Sequence, residues 1–337
     1  MFRFAVRFTL TAVIAIPSLA CAQRAPARGE GVITEALIKR HINVIADDSM
    51  LGRNTPSKGL EMTAAYVGAQ FKRLGLKPGG DSNTYIQRYP LTKAPAPGAR
   101  ASTTPAESAP NSVGILPGTD PVLRDEYIVV SAHMDHVGTS GTSPKDSIWN
   151  GADDDASGTA GVLALAEAFS QAPTKRSIIF LTVSGEEHGL WGSSWFATNP
   201  PVSIRKIVAN FNLDMIGRNW KDSIVVVGME HSDLGKTVMK VSAMHEELGI
   251  TPMPDPWPQE NFFGRSDHYN FARRGVPAIF FFNGVHEDYH RPSDSPDKID
   301  AEKESRVVRL IFHVLTAVAN ATARPEWNPE SYRKIVR

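Results

Sequence analysis

Cysteine is nearly absent: Cys21 is the only one among 337 residues. A single thiol excludes an internal disulfide and any cysteine-built zinc site. An excess of charge of either sign is absent too, with Lys+Arg and Asp+Glu at 36 each. That balance gives no sign of a nucleic-acid partner or an anionic membrane surface. There is no internal repeat, and 42% hydrophobic against 21% charged residues are the proportions of an ordinary globular chain. The apolar run over residues 8–19, broken by Thr9, Thr11, Pro17 and Ser18, is too short to span a bilayer, so no stable membrane insertion is expected.

What the N-terminus does have is a basic start, Arg3 and Arg7, ahead of that run, and a small-x-small site at Ala20-Cys21-Ala22. This is the layout of an export signal. Residues 1–22 are expected to be removed as a signal peptide, with the remainder periplasmic or secreted. Leu19-Ala20-Cys21 loosely resembles a lipobox, but Ser18 stands where leucine is usual. Lipidation at Cys21 is therefore the disfavoured route, and cleavage after Ala22 leaves no thiol.

Residues 31–337 read as a single domain long enough to bury a full core. Helical periodicity covers 34–45 and 60–74, the second closed by Gly75. An Ala/Pro-rich stretch over 94–110 reads as an exposed loop. From about residue 113 the pattern changes. Residues 127–132, 177–183, 207–213, 224–227 and 276–282 are short apolar runs with the β-branched and aromatic content of buried strands. Helical segments at 157–171, 233–248 and 300–322 lie between and after them. The alternation implies an α/β fold, a three-layer αβα sandwich around a mostly parallel mixed sheet.

In open sheets of this kind, sites form beyond the carboxyl ends of the strands. There stand His133, Asp135 and His136, then Glu186-Glu187, Asp214, and Asp288-Tyr289-His290, while Asp153-Asp154-Asp155 opens the helix near residue 157. Singly, each has a plain reading as a hydrogen-bonded structural histidine, a solvated helix cap or a surface acidic pair. Together they crowd anions at one sheet edge, which is strongly destabilising without compensating cations. Mixed imidazole and carboxylate donors suit zinc.

The strings Ser-Ala-His133-Met-Asp135-His, Asn-Gly-Ala-Asp-Asp154-Asp-Ala-Ser-Gly, Ser-Gly-Glu186-Glu187-His-Gly, Asn-Leu-Asp214-Met-Ile-Gly and Tyr289-His290-Arg-Pro-Ser-Asp294 resemble those of the co-catalytic di-zinc aminopeptidases of clan MH, which include the bacterial leucyl and broad-specificity enzymes. The resemblance covers residues 35–322. It implies that Asp154 bridges two Zn²⁺, that His133 and Asp214 complete one ion, and that Glu187 and His290 complete the other. Asp154, Glu187 and Asp214 with one hydroxide would balance the charge of two Zn²⁺. Glu186 would be the general base and Asp135 the carboxylate orienting His133. Tyr289 would steady the tetrahedral intermediate, and the Asp154-Asp155 peptide would be cis. The implied reaction is hydrolysis of N-terminal residues from peptide substrates by a zinc-bridged hydroxide. His136, His188 and His268 match no ligand position and are expected to be structural or to support the ligands from behind. Arg265-Ser-Asp267-His268 resembles a segment near the family's substrate pocket, so Arg265, Phe262 and Phe263 are candidate substrate contacts, while Phe281 and Phe282 are expected in the core. The stretch at 94–110 is too short for the protease-associated domain that many secreted relatives insert there.

Rival readings keep the scaffold and change the chemistry. A related metallo-carboxypeptidase or amidohydrolase would use basic residues such as Arg265 or Arg291 for a substrate carboxylate. A glutaminyl cyclase would use one zinc, and a non-catalytic binding domain would have lost ligands or the base; all five ligand positions and Glu186 are present.

Overall fold

The computed structural model of the protein describes residues 1–2, 27–91, 107–139 and 146–337. The expected export signal and Cys21 fall in residues 3–26, outside the described residues. Among the described residues, no helix is long and apolar enough to cross a membrane.

Three of the longer helices open where the sequence supplies a side-chain cap. Thr34 Oγ1 accepts from the Leu37 amide to start α1 (Glu35–Ile45), Ser57 Oγ from Leu60 to start α2 (Lys58–Arg73), and Asp300 from Lys303 to start α7 (Ala301–Asn320). Each such bond satisfies a donor the helix itself leaves free. Gly75, with φ of 74°, ends α2 in a left-handed conformation that costs glycine little. The remaining helices are α3 (Gly158–Gln171), α4 (Trp191–Thr198), α5 (Leu234–Met244), α6 (His268–Ala272) and α8 (Pro329–Ile335). Helix α5 stops short of residue 248 because His245 leaves the helical region and the next three residues tighten into a 3₁₀ turn.

Among the described residues nine strands form one sheet: β1 (Lys77–Pro78), β2 (Ile86–Pro90), β3 (Ser108–Leu116), β4 (Tyr127–His133), β5 (Ser177–Val183), β6 (Ile207–Leu213), β7 (Ser223–Val227), β8 (Thr251–Met253) and β9 (Ala278–Phe282). The order is β1-β3-β5-β4-β6-β9-β7-β8, with β2 on β3. The central four, β5-β4-β6-β9, run parallel. Antiparallel pairings flank them, β3 on β5 and β7 on β9. The sequence pattern hid β1 to β3 because Pro110, Asn111 and Gly114 are poor strand formers. Pairing to β2 and β5 on both sides imposes the extended form. Residues 108–110 therefore belong to a strand rather than to the Ala/Pro-rich loop, whose residues 94–106 lie outside the described residues.

Successive strand residues face opposite sides. Ile128, Val130, Ala132, Ile178 and Phe180 join the core made with α1, α3, α5 and α7, while Val129, Ile179, Leu181 and Val183 pack against Phe196 of α4 and Phe271 of α6. Both faces are dry, so the central strands read as unbroken apolar runs. The consequence for function is geometric: four parallel strands deliver their carboxyl ends to one edge.

Candidate metal centre

That edge collects the acids. His133 is the last residue of β4, Asp214 follows β6 directly, Glu186 and Glu187 lie just past β5, and His290 lies in the loop beyond β9. Asp154 arrives from the turn that enters α3. Its two carboxylate oxygens diverge. Oδ1 lies 3.2 Å from His133 Nε2, which is itself 3.6 Å from Asp214 Oδ1; Oδ2 lies 3.1 Å from His290 Nε2, which is 3.0 Å from Glu187 Oε2. Two groups of donor atoms result, His133–Asp154–Asp214 and His136–Asp154–Glu187–His290, each drawn within 4.8 Å. Asp154 thus offers one carboxylate oxygen to each group, and mixed imidazole and carboxylate donors of this kind would suit zinc.

The donor atoms also fail to satisfy one another. Asp154 Oδ2, Glu187 Oε1, His290 Nε2 and both His136 nitrogens are buried without a hydrogen-bond partner among the described residues. Buried polar atoms are almost always paired, so donors of this chemistry facing one another fit residues that would hold a cation.

The three neighbouring aspartates avoid mutual repulsion by pointing into separate surroundings. Asp155 accepts from the amides of His133 (3.1 Å), Gly158 (2.8 Å) and Met215 (3.2 Å), tying three site loops together. Asp153 accepts from the Gly217 amide at 2.7 Å and faces His286 Nε2 at 3.1 Å. Asp294, in turn, accepts from the Asp153 and Asp154 amides. The Asp154-Asp155 peptide bond is cis.

Asp135 is fully buried below the site, 3.6 Å from His133 Nδ1. Its carboxylate accepts from Thr55 Oγ1 (2.8 Å) and from the Gly185 (2.7 Å) and Glu186 (3.4 Å) amides. It thus ties the histidine loop to the backbone of Glu186. Asp214 is aimed by a relay, with Ser266 Oγ donating to it at 2.7 Å and Asn212 Nδ2 donating to Ser266 at 2.9 Å. Neither Ser266 nor Asn212 was singled out from the sequence, where a serine and an asparagine carry no signal of their own.

Neighbouring glutamates are pushed apart. Burial raises the Glu186 carboxyl well above the usual range, with Asp267, Asp214 and Glu187 adding and His133 opposing. Burial also acts on Glu187, but His136 and His290 beside it hold its carboxyl below the usual range. Divergent environments for adjacent acids are the pattern expected of a proton carrier next to a ligand.

The pit over the His133 group is lined by Glu186, Met215, Phe262, Arg265, Phe280, Phe282 and Tyr289, among others. Phe282 is therefore a pit wall as well as a core residue, whereas Phe281 lies wholly in the main core. Phe263 does not line the pit. In the tight turn 262–264 consecutive side chains diverge, and the Phe263 ring packs edge-on against His231 and His268. Arg265 stacks on the Phe262 ring at 4.7 Å. His268 is buried against Phe280, and exposed His188 stacks on Trp191. His136 stands in the second donor group, beside Glu187 and Asp154.

A layered α/β scaffold with imidazole and carboxylate donors gathered at the carboxyl ends of its strands suits a zinc hydrolase. The sequence profile described as Peptidase family M28 matches residues 111–315, and the chain belongs to that family. The aminopeptidase YwaD of Bacillus subtilis (strain 168) is 26% identical over 239 residues, covering 68% of this chain and 48% of YwaD. The chain thus spans about half the length of that relative. A probable zinc metalloprotease of Pyrenophora tritici-repentis (strain Pt-1C-BFP) is 22% identical over 332 residues, covering 86% of this chain and 67% of the relative. Among solved structures, an aminopeptidase from Aneurinibacillus sp. strain AM-1 superimposes with a TM-score of 0.66 at 17% identity, covering 90% of this chain and 98% of its own. The zinc aminopeptidase BSAP from Bacillus subtilis gives 0.66 at 16%, covering 87% and 97%. These structures share the fold.

Proposed function

We propose that the protein is a zinc aminopeptidase that binds two Zn²⁺ per chain and removes N-terminal residues from peptides. The observation that carries this reading is Asp154 presenting one oxygen to each of two donor groups, with Glu186 on the wall of the adjoining pit. Relatives named as aminopeptidases and zinc metalloproteases support the same choice. Zinc held there supplies Lewis acidity toward water and the scissile carbonyl. Glu186, its carboxyl pushed up by burial, is suited to take a proton from the attacking water and return it to the leaving amine. Tyr289 keeps its hydroxyl proton, because burial and the carboxylates of Asp154 and Glu187 raise its phenol. It can therefore donate to the developing oxyanion. Met215, Phe262 and Phe282 keep water off the substrate side chain. Export to the periplasm or beyond is proposed on residues 1–22 alone.

The test is Glu186→Gln. Turnover of an aminoacyl anilide should fall by about 10²–10⁴-fold, while zinc content measured by atomic emission stays at two per chain. Near-normal turnover would remove Glu186 from its role. Hydrolysis only of substrates with a free C-terminus would replace the aminopeptidase reading with that of a carboxypeptidase.

A further inference from the structure

His136 belongs to no part of the chemistry assigned so far, yet its surroundings are those of a ligand. It follows β4 by three residues and is fully buried. Its ring is pinned from behind: a Cβ on Gly151 would come within 2.5 Å of His136 Cγ and 2.6 Å of Cδ2. The bare glycine there lets the imidazole seat at one angle against the backbone. Nδ1 then lies 2.9 Å from Glu187 Oε1 and 3.6 Å from Asp154 Oδ2, and the ring meets that of His290 edge-on with centroids 5.5 Å apart. Both of its nitrogens lack a hydrogen-bond partner among the described residues. Buried His268 also leaves both nitrogens unpaired, so it is the distances to Glu187 and Asp154, not the unpaired nitrogens alone, that mark His136 as a donor.

We propose that His136 Nδ1 is a fourth protein ligand at the metal position formed by Asp154, Glu187 and His290, so that the two positions are unequal. This rests on the two-metal reading above and deepens it. With His136 included, one position has two imidazoles and two carboxylates, enough to complete a tetrahedral zinc. The other has three protein donors, His133, Asp154 and Asp214, and keeps a place for water and substrate. The pit agrees with that division. His133, Asp154 and Asp214 line it beside Glu186, whereas His136, Glu187 and His290 do not. An ion at the first position would be enclosed by protein groups alone, whereas one beside His133 would keep room for water and substrate.

Stepwise loading follows, and it is read on the full chain without an activity assay. Wild type dialysed against a chelator of intermediate strength should retain one Zn²⁺ per chain and take up a second only when free zinc is raised. His136→Gln should bind that first ion at least tenfold more weakly in a chelator competition, with its circular dichroism unchanged. His136→Cys, loaded with Co²⁺, should gain a thiolate-to-cobalt charge-transfer band in the near ultraviolet that wild type, Cys21 included, lacks. Only a residue touching the ion produces that band. Two ions of equal affinity in wild type, an unchanged first affinity in His136→Gln, or weakened binding without the band in His136→Cys would each overturn the proposal and leave two-metal hydrolysis standing. Wild type that binds no zinc would overturn both.

Discussion

Asp153, Asp154 and Asp155 are identical in chemistry and differ only in what each carboxylate meets. Asp155 meets backbone amides, Asp153 meets an amide and a histidine, and Asp154 meets the pit. The same logic separates Phe262 from Phe263. Phe262 walls the pit, so Phe262→Ala should weaken hydrolysis of leucyl more than alanyl anilides by about 10-fold or more in kcat/KM, the value of a lost apolar contact. Equal loss for both substrates would remove Phe262 from the specificity pocket. A third residue, far from the site, sets acid sensitivity. Burial, with Arg40 and Arg73 adding, pushes His41 from 6.5 down to about 3. The unfolded chain therefore binds a proton there that the folded chain refuses between those values. The contribution is intact above 6.5 and fades as pH falls below it. At about pH 5.5, one unit under the unfolded value, this costs about 1.4 kcal/mol. His41→Gln should lose about that much less stability than wild type between about pH 7.5 and about pH 5.5 in urea unfolding. Identical losses would acquit His41.

At the scale of elements, the turn before α2 does more than link two helices. Arg53 is fully buried. Its guanidinium donates to the carbonyls of Ile45 (2.9 Å), Met134 (2.9 Å), Asn150 (2.5 Å) and Gly151 (2.8 Å). The end of α1, the loop after β4 and the turn leading to Asp154 are thereby joined through one side chain. Burial lowers the guanidinium to about 10, with Asp135, Asp154, Asp294 and Asp155 opposing, so it stays charged at neutral pH. Arg53→Met leaves four carbonyls without this donor and should cost about 3–5 kcal/mol in denaturant unfolding. Arg53→Lys should not restore it, because an ammonium lacks the planar fork. A loss under about 1 kcal/mol would show that the loops hold themselves.

For the whole molecule, the candidate metal donors come from five separated segments of chain brought to one sheet edge. Ions that bind only the folded arrangement add stability by mass action, about 4 kcal/mol at a thousandfold excess over Kd. A chelator should therefore lower the melting temperature by several degrees, at about 2–4 °C per kcal/mol for larger domains, and added zinc should restore it. A melting temperature indifferent to chelator and zinc would contradict the reading of the site as a metal centre.

The central strands and the main helices were legible because each carries its own signal: apolar runs for β4, β5, β6 and β9, caps and periodicity for α1, α2 and α7. The ionisable groups at the sheet edge were legible together, because they recur beside strand ends, although each alone reads as a structural residue. Strands β1 to β3 were not, since Pro110 and Gly114 argue against a strand until β2 and β5 pair with it. Nor were the burial of Arg53, the relay from Asn212 through Ser266 to Asp214, the turning away of Phe263 and the approach of His136 to Glu187. Each depends on residues tens of positions away in the chain. The sequence by itself determined the chemistry available at the sheet edge, because residue type and local pattern are written along one dimension. Only the tertiary structure decided which of those groups come within reach of one another, because burial and distance arise when distant segments pack together.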